Sequence, residues 1–482
     1  MTTSLAMPSA AELVPLLPEL VLIGGAFALL IVDLFINARH KVWTHFLSVL
    51  VLAVVLAMLA TGVGGQGEVM SGMFVRDTAA DVMKIAIVLM SGLTLVYGWS
   101  YLRERNLYQG ELPVLVLFAT AGMMMLVSAG SLVMVYLGLE LLALSSYALV
   151  AADRDNPRAT EAAMKYIVLG SLASGLLLYG MSLVYGATGT LQLDAIHAAI
   201  DGSDERMLLL TGTAFMVAGV AFKLGAAPFH MWLPDVYQGA TAPVALFIST
   251  APKLAAFGMA WRLLEGGVGP LAEEWKWLLA GLSAVSLVIG NLMALAQTNI
   301  KRMLAYSTVS HIGFLLMGLA GGDPSGYAAA LFYAIGYAIM SAASFGVIIA
   351  LSRNGFEAEN IDDFKGLYAR SPAIAWLMLV VMASLAGVPP LLGFWTKLAV
   401  LRAALSGGML WLALLGVIAA VVGAFYYLRV LKVMFFDEPA GAPLAPHNDR
   451  VLGVVLGVNA LGLLALGLAW NPIMVWCQRA FM

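Results

Sequence analysis

The chain has 482 residues, of which 62% are hydrophobic and only 11% are charged. Soluble globular proteins have about 45–50% apolar and about 25% charged residues, so we expect lipid to surround most of this chain. The formal net charge of −3 provides no basic excess for binding nucleic acid. The single cysteine, Cys477, excludes a disulfide framework, a zinc site with several thiolates and an iron–sulfur cluster held by this chain alone.

Apolar segments that are long enough to cross a bilayer, which takes about 20 helical residues, recur along the whole chain. The residues before the first segment include Glu12 and no Lys or Arg, so we expect a spanning helix there and not a signal peptide. We predict an all-α integral membrane protein with about 14 transmembrane helices. The predicted spans, 14 in number, are 13–35, 43–63, 79–101, 111–128, 131–151, 159–186, 206–232, 242–264, 276–297, 303–321, 326–352, 372–402, 409–435 and 451–470.

The positive charges are distributed unevenly between the two sides of the predicted membrane. Loops after odd-numbered spans hold 14 of the 25 Lys and Arg residues, the other loops and the C-terminal tail hold 6, and five lysines lie within spans. Because cytoplasmic loops carry the excess of Lys and Arg, we predict that loops after odd-numbered spans are cytoplasmic and that both termini are outside. The loop 187–205, which has four acidic residues and no Lys or Arg, fits the outer side.

One short motif in an outer loop matches the dinucleotide-binding fingerprint GxGxxG. It is Gly62-Val-Gly-Gly-Gln-Gly67, and it follows a predicted membrane helix. The fingerprint binds nucleotides only between a strand and a helix. We therefore expect no nucleotide site here.

Several ionisable residues lie inside predicted spans, where each charge costs roughly 2.5–3.5 kcal/mol at mid-helix. Two of the lysines have charged neighbours in sequence. Lys84 lies near a span end, so we expect it to reach the interface, and Lys165 has Glu161 one helical turn away for a local ion pair. The residues without such a partner are Glu140, Lys223, Lys253 and Lys397.

The choice of lysine at these deep positions indicates proton transfer. Burial disfavours the charged form of a lysine, and a neighbouring carboxylate favours it again. A buried lysine whose distance to a glutamate changes is therefore a switchable proton site. Arginine would not serve, because it effectively never deprotonates. A purely structural role for these side chains is the alternative.

Spans 7 and 12 each carry glycine and proline in mid-span, close to a lysine. Span 7 contains Gly225 and Pro228, and span 12 contains Gly387 followed by two prolines. Paired interruptions at matching positions are typical of a transport path, although proline is also common in membrane helices generally. Because seven and twelve differ by an odd number, we predict two inverted five-helix repeats, helices 4–8 and 9–13. The predicted divisions are 1–110 for three N-terminal helices, 111–265 and 266–437 for the two repeats, and 438–482 for the C-terminal loop and helix 14.

Two histidines, His230 and His311, lie at membrane depth. Histidine suits proton relay because it titrates near neutral pH. The alternatives are structural hydrogen bonding and ligation of one haem by the pair.

Four sequence runs together resemble the antiporter-like subunits of the bacterial proton-translocating NADH–quinone oxidoreductase, respiratory complex I. The resemblance covers nearly the whole chain, and its motifs are specific in combination. The runs are Phe-His-Met-Trp-Leu-Pro-Asp-Val-Tyr-Gln-Gly-Ala at 229–240, Ser-Thr-Ala-Pro-Lys at 249–253, Ile-Lys-Arg-Met-Leu-Ala-Tyr-Ser at 300–307 and Gly-Val-Pro-Pro at 387–390.

The resemblance implies a role for each buried charge. Glu140 and Lys223 would form the pair of the first half-channel, and Lys253 would be the central connecting lysine. Lys397 would end the second half-channel, and Lys165 would be a further lysine near the glutamate. A sister branch of the family usually has glutamate where Lys397 stands, and another continues into a long lateral helix, so a third branch is favoured.

The resemblance also implies the setting. The chain would be a non-redox subunit of a translocase in the bacterial inner membrane, beside homologous antiporter-like subunits and small membrane subunits. It would hold no cofactor or metal itself, with FMN, iron–sulfur clusters and quinone in other subunits. Two alternatives stay open: a subunit of a multi-subunit cation/proton antiporter, and a structural assembly subunit without its own proton path.

Overall fold

The computed structural model describes residues 12–37, 41–107, 110–353, 355–439 and 449–482. The predicted outer N-terminus before residue 12, Arg39 and the loop residues 440–448 lie outside these ranges. Within them, helices dominate, and the two strands form one small hairpin.

Three helices and the hairpin make up the N-terminal part. A 3₁₀ turn at Val14–Leu16 leads into α1 (Leu17–Phe35), which is followed by α2 (Val42–Ala60) and α3 (Thr78–Glu104). Strands β1 (Gly67–Val69) and β2 (Phe74–Arg76) pair antiparallel between α2 and α3, with Gly67 opposite Arg76. The glycine-rich run 62–67 thus leads into a hairpin and lacks the strand–turn–helix order of a dinucleotide fingerprint.

The middle of the chain contains long helices and short helical pieces. The helices are α4 (Glu111–Val127), α5 (Leu132–Val150), α6 (Pro157–Thr188), α7 (Leu193–Ile200), α8 (Arg206–Leu224), α9 (Trp232–Gly239), α10 (Ala242–Ser249) and α11 (Ala251–Trp261), which continues as a π-helix at Arg262–Gly267.

The second half of the chain also contains long helices and short helical pieces. After a 3₁₀ turn at Gly269–Leu271 come α12 (Ala272–Leu295), α13 (Ile300–Ala320) and α14 (Pro324–Leu351). A second 3₁₀ turn at Ile361–Phe364 precedes the remaining helices, which are α15 (Leu367–Arg370), α16 (Pro372–Ala386), α17 (Leu392–Ser406), α18 (Leu410–Phe436), α19 (Arg450–Leu468) and α20 (Asn471–Arg479).

The predicted number of membrane helices is confirmed. Twelve helical stretches of the described chain are long and apolar enough to cross a membrane. Two shorter apolar helices, α4 and α16, occupy the two remaining predicted spans. The chain is therefore an all-α integral membrane protein, as composition indicated.

Three predicted spans are interrupted and are not continuous helices. Span 7 is divided into α8 and α9, span 8 into α10 and α11, and span 12 into α16 and α17. Gly225 ends α8 at φ 88° and ψ 32°, and Gly387 ends α16 at φ 90° and ψ 38°. Both are left-handed conformations that glycine adopts without steric cost, so each helix stops at its glycine.

Three small elements were not predicted: the hairpin, α7 and α20. The helix α7 lies within the outer loop and is too short to span a bilayer. It buries Leu193, Ile196 and Ile200, which lie on one face at helical spacing. Such short amphipathic helices give little signal in a search for long apolar segments.

The core of the bundle lies around α13 and α14. The most apolar stretch of α13 is 100% buried and that of α14 is 94% buried, against 33% for α1 and α2. The helices α1 and α2 therefore lie at the periphery of the bundle. We call the side of the bundle where α3 ends and α13 begins the basic side, since Arg105, Lys301 and Arg302 lie there.

Candidate functional site

The first two predicted site residues, Glu140 and Lys223, come from α5 and from the last turn of α8. Lys223 is 7% exposed, and one carboxylate oxygen of Glu140 is buried without a hydrogen-bond partner. Glu140 acts electrostatically on Lys223, but among the described residues no carboxylate lies within 4.0 Å of the Lys223 ammonium. The two charges therefore attract each other without forming a direct ion pair.

Lys253 lies at the break between α8 and α9. It is on the first turn of α11 and is 1% exposed. Its Nζ donates a hydrogen bond of 2.8 Å to the Leu224 carbonyl oxygen and lies 4.8 Å from the centre of the Trp232 ring. The last carbonyls of a helix have no partner within it and carry partial negative charge. The Lys253 ammonium therefore stabilises the end of the interrupted helix.

Lys397 makes the same kind of contact at the second break. Its Nζ donates hydrogen bonds of 2.9 Å to the carbonyl oxygens of both Leu385 and Ala386, the last residues of α16. It is 8% exposed and lies 5.4 Å from the centre of the Phe314 ring. The first helices of spans 7 and 12, α8 and α16, thus both end on the ammonium of a buried lysine.

The glycine at each break also leaves space for a neighbouring side chain, Leu233 at the first break and Lys397 at the second. A Cβ on Gly225 would lie 2.3 Å from Leu233 Cδ1, and one on Gly387 would lie 3.0 Å from Lys397 Cδ. Conformation and space therefore both require glycine at these two positions.

His311 is enclosed by tyrosines from α14 and α18. Its Nδ1 lies 2.6 Å from the Tyr333 hydroxyl and its Nε2 lies 3.1 Å from the Tyr427 hydroxyl. The ring of Tyr337 lies 4.9 Å away, centre to centre. Both ring nitrogens are hydrogen-bonded, so neither is free to ligate iron in this arrangement. The haem alternative is not supported, whereas hydrogen bonding and proton relay both fit.

His230 follows the first break and is half-buried, with its Nδ1 buried and unpaired. Its ring lies 6.1 Å from that of Tyr306 on α13, centre to centre. The histidine therefore lies between the first broken helix and the most buried helix of the bundle.

Lys165 belongs to a different cluster. The resemblance placed it near Glu140, but its ammonium binds the carboxylates of Glu161 and Asp235, each at 2.8 Å. Its side chain is 44% exposed, and Asp235 also binds Arg302 at 2.7 Å. The local ion pair with Glu161 is confirmed, and Lys165 is part of a surface network on the basic side.

Lys84 does not reach the interface as we expected. Its side chain is 0% exposed and pairs at 2.7 Å with Glu19, which is almost fully buried on α1. The prediction was wrong because the partner comes from another helix, which the sequence around Lys84 does not reveal.

Comparisons with known proteins decide the family. The model of the family described as NADH:quinone oxidoreductase/Mrp antiporter, transmembrane, matches residues 129–423. The chain is 78% identical over 480 residues to NADH-quinone oxidoreductase subunit N of Xanthomonas euvesicatoria pv. vesicatoria, covering 100% of this chain and 99% of that protein. The chain belongs to the subunit N family of NADH-quinone oxidoreductase.

More distant members of the subunit N family and solved structures agree with this placement. Subunit N of Thioalkalivibrio sulfidiphilus is 49% identical, covering 95% of this chain and 96% of that protein. A chain of respiratory complex I from Thermus thermophilus with bound aureothin aligns with a TM-score of 0.82 at 32% identity, covering 95% of this chain and 98% of that one. A chain of the Mrp complex from Dietzia sp. DQ12-45-1b has a TM-score of 0.84 at 22% identity, covering 98% and 97%, and shows the fold alone.

The resemblance and the favoured third branch, subunit N, are thus confirmed, but sequence reasoning missed several polar groups of this subunit N chain. The hydroxyls around His311 belong to tyrosines and serines in apolar helices, where aromatic and small polar residues are common and give no distinct signal. From the sequence, Lys301 was predicted to be one of the cations of a cytoplasmic loop, yet it is 2% exposed and binds Glu357 at 2.9 Å.

Within the described residues, no group of three or more His, Cys, Asp or Glu side chains is placed to hold a metal ion.

Proposed function

We propose that this chain is a proton-translocating membrane-arm subunit of NADH–quinone oxidoreductase. It moves protons through two half-channels lined by buried lysine and glutamate, driven by quinone reduction in other subunits. One observation carries the proposal: each of two broken helices in the membrane interior ends on the ammonium of a buried lysine. Such an arrangement couples the proton on the lysine to the conformation of the helix.

The coupling follows from the charges at the break. A protonated lysine is attracted by the partial negative charge of the terminal carbonyls, and that attraction weakens when the proton leaves. Lys223 and Lys253 also act on each other as like charges. Protonation of either lysine therefore favours release of a proton from its neighbour, which is the behaviour required of a relay.

The distance between Glu140 and Lys223 is the quantity that can adjust the protonation of Lys223. At an effective dielectric constant near 20, two unit charges attract by about 4 kcal/mol at 4 Å and by about 2 kcal/mol at 8 Å. Moving one proton across 100 mV takes about 2.3 kcal/mol. A change of a few ångströms between Glu140 and Lys223, which alters their attraction by about 2 kcal/mol, is therefore comparable in energy to the transfer.

The proposed path crosses both repeats. Glu140, Lys223 and Lys253 lie in the first, 111–265, and His311 and Lys397 lie in the second, 266–437, with His230 near their junction. The basic side is assigned to the cytoplasm and both termini to the outer side of a bacterial inner membrane. Homologous antiporter-like subunits and small membrane subunits are the proposed neighbours, and FMN, iron–sulfur clusters and quinone belong to other subunits.

The test is Lys223→Ala in native membranes. NADH–quinone turnover and proton uptake are measured together, and assembly of the complex is checked on a native gel. We expect an assembled complex whose coupled turnover and pumping fall at least tenfold. Lys432→Ala is the matched control, because that lysine is 66% exposed and pairs only with Asp437 among the described residues.

The outcomes separate the alternatives. Wild-type turnover and pumping in Lys223→Ala would overturn the proton path. Poor assembly, with normal pumping per electron in the remaining complex, would indicate a structural assembly subunit. Transport that requires sodium and proceeds without NADH oxidation would indicate a cation/proton antiporter subunit.

A further inference from the structure

A cavity lies between α14, α17 and α20 and has a volume of about 250 Å³. Its lining includes Ser325 in the first turn of α14, Ser406 at the end of α17 and Asn471 at the start of α20. Helix α13 begins on the basic side and ends just before α14 begins, so Ser325 lies on the opposite side of the bundle. The proposed orientation assigns that side to the outside. The cavity therefore lies near the outer surface of the membrane.

The residues that line the cavity carry one positive charge and no negative charge. The positive charge belongs to Arg402, whose side chain is exposed. The nearby carboxylate of Asp323 does not line the cavity, and it accepts hydrogen bonds from Ser325 Oγ at 2.9 Å and from the Gly326 amide at 2.8 Å. An anion in the cavity would therefore meet a cation without an opposing carboxylate.

Arg402 also differs from most other cations on the outer side. Six Lys and Arg residues are assigned to that side. Four of them bind carboxylates of this chain, namely Arg76, Arg206, Arg262 and Lys276. Arg402 forms no ion pair within the described part of the chain. It is therefore available to bind an anion from outside this chain.

The wall that α17 contributes changes from cationic near its end to apolar at greater depth. Its lining positions, 395, 398, 399, 402, 403 and 406, recur at three- and four-residue spacing and so lie on one face of the helix. Lys397 is not among them. Trp395 precedes Arg402 by seven residues, which places its backbone about 10 Å closer to the break in the membrane interior. A phospholipid has the same order, from its charged headgroup to its acyl chains.

A pair of stacked tryptophans lines the cavity. The rings of Trp395 and Trp470 lie 4.8 Å apart, centre to centre, at an interplanar angle of 15°. The Nε1–H of Trp395 is buried and has no hydrogen-bond acceptor among the described residues. A buried tryptophan N–H usually has such an acceptor, and tryptophan is enriched where a membrane meets water. The Trp395 N–H is therefore a donor for an acceptor that this chain does not supply.

The first turn of α20 adds to the positive potential. Trp470 precedes this helix and makes no side-chain cap to its first amides. Such free amides give a helix N-terminus partial positive charge. Asn471 and Met474, from this turn, line the cavity. The amides supplement the Arg402 guanidinium and the Trp395 N–H at the same cavity.

We propose that this cavity binds an anionic phospholipid of the outer leaflet. Its phosphate lies on Arg402, a glycerol ester carbonyl accepts from the Trp395 N–H, and its acyl chains follow the apolar residues of α17. Arginine suits this role because its guanidinium binds phosphate oxygens through two parallel hydrogen bonds. The ester carbonyl lies on the acyl-chain side of the phosphate, in agreement with the deeper position of Trp395. The inference is independent of proton translocation.

Two other occupants explain less of the cavity. Free phosphate would bind Arg402 but would leave the apolar wall of α17 and the Trp395 N–H uncovered. A carboxylate of a neighbouring subunit would also pair with Arg402, but nothing in that pairing requires an apolar wall at greater depth. A lipid alone accounts for the cation, the buried donor and the apolar wall together.

The experiment uses the intact complex in nanodiscs of phosphatidylcholine. A small fraction of the lipid carries a photoreactive diazirine on one acyl chain and is either phosphatidylglycerol or phosphatidylcholine. After illumination, labelled peptides of this chain are identified by mass spectrometry. The test variants are Arg402→Ala, Arg402→Lys and Trp395→Phe, which keeps an aromatic ring and removes the N–H. Arg206→Ala is the control, because Arg206 is an exposed outer cation in the other repeat.

In the wild type, we expect phosphatidylglycerol to label the α17 and α20 peptides about fivefold more than phosphatidylcholine does, the preference that one basic residue gives for an anionic lipid. The peripheral helices α1 and α2 should show no such preference. Arg402→Ala should abolish the preference, whereas Arg402→Lys and Arg206→Ala should retain it. Trp395→Phe should lower labelling of α17 by both lipids roughly threefold, since both have ester carbonyls.

Three results would overturn the proposal. The first is equal labelling of α17 and α20 by the two lipids in the wild type. The second is loss of the preference on adding inorganic phosphate but not sodium chloride of equal ionic strength, which would indicate a site for free phosphate. The third is release of a neighbouring subunit by Arg402→Ala on a native gel, with no lipid preference in the wild type, which would indicate a subunit contact. If Arg402→Ala fails to assemble, the wild-type comparison and Trp395→Phe decide.

Discussion

The Lys253 ammonium binds the carbonyl oxygen of Leu224 at 2.8 Å, so a side chain of α11 caps the end of α8 across the first break. A permanent cation would serve this contact as well as a lysine does. Proton transfer requires more, because the group must also lose its proton.

Replacing Lys253 by arginine separates these two requirements. Arginine keeps a cation beside the end of α8 but effectively never deprotonates. We therefore expect Lys253→Arg to assemble while its proton uptake per NADH falls at least tenfold, as measured in native membranes. Lys253→Met, which also removes the cation, should lower assembly as well. Normal pumping by Lys253→Arg would show that the residue only caps the helix.

Gly387 is predicted to be irreplaceable for two separate reasons. Its φ of 90° is unfavourable for any other residue, by roughly 1–2 kcal/mol, and a Cβ would lie 3.0 Å from the side chain of Lys397. Gly387→Ala should therefore displace Lys397 from the α16 carbonyls and lower both the thermal stability of the complex and its pumping.

A substitution at a second glycine, Gly62, is the control that separates backbone strain from displacement of Lys397. Gly62 has φ of 70°, and a Cβ there would meet nothing within 4 Å. Gly62→Ala should cost a similar backbone strain and leave pumping per NADH unchanged. Equal loss of pumping in both variants would contradict the role of Gly387 in positioning Lys397.

The breaks could be predicted from sequence because their causes are local. Gly225, Pro228 and Gly387 interrupt apolar runs of known length, so the interruption is visible without any tertiary information. The same holds for the number of helices, since each span must supply its own apolar residues. Local patterns of this kind are visible in a single sequence.

The partners of the buried charges could not be predicted, because they are distant along the chain. Leu224 lies 29 residues from Lys253, and Ser307 lies 120 residues from Tyr427. A backbone carbonyl also has no sequence signature at all. Lys84 shows the consequence: its acidic neighbours in sequence suggested the interface, whereas its partner is on α1.

Cys477 reports on how α20 packs against the bundle. Burial raises the pKa of its thiol to about 12, and its side chain is 0% exposed. The reactive species is the thiolate, and an unfolded cysteine has a pKa of about 8.5. At pH 8 the folded thiol should therefore react with N-ethylmaleimide about three orders of magnitude more slowly than after denaturation in detergent, as followed by mass spectrometry of this chain. Rapid labelling of the native complex would show that α20 is not docked.

The Lys84–Glu19 pair should contribute to stability without taking part in pumping. Removing one partner of a buried pair leaves an uncompensated charge and costs about 3–5 kcal/mol, whereas replacing both by apolar residues is often tolerated. We expect Lys84→Met and Glu19→Met each to reduce the amount of assembled complex, and the double variant to recover a large part of it. Proton uptake per NADH in whatever complex assembles should equal that of the wild type. A specific loss of pumping in the well-assembled double variant would instead place this pair on a proton path, because packing alone would then be restored while the titratable groups are gone.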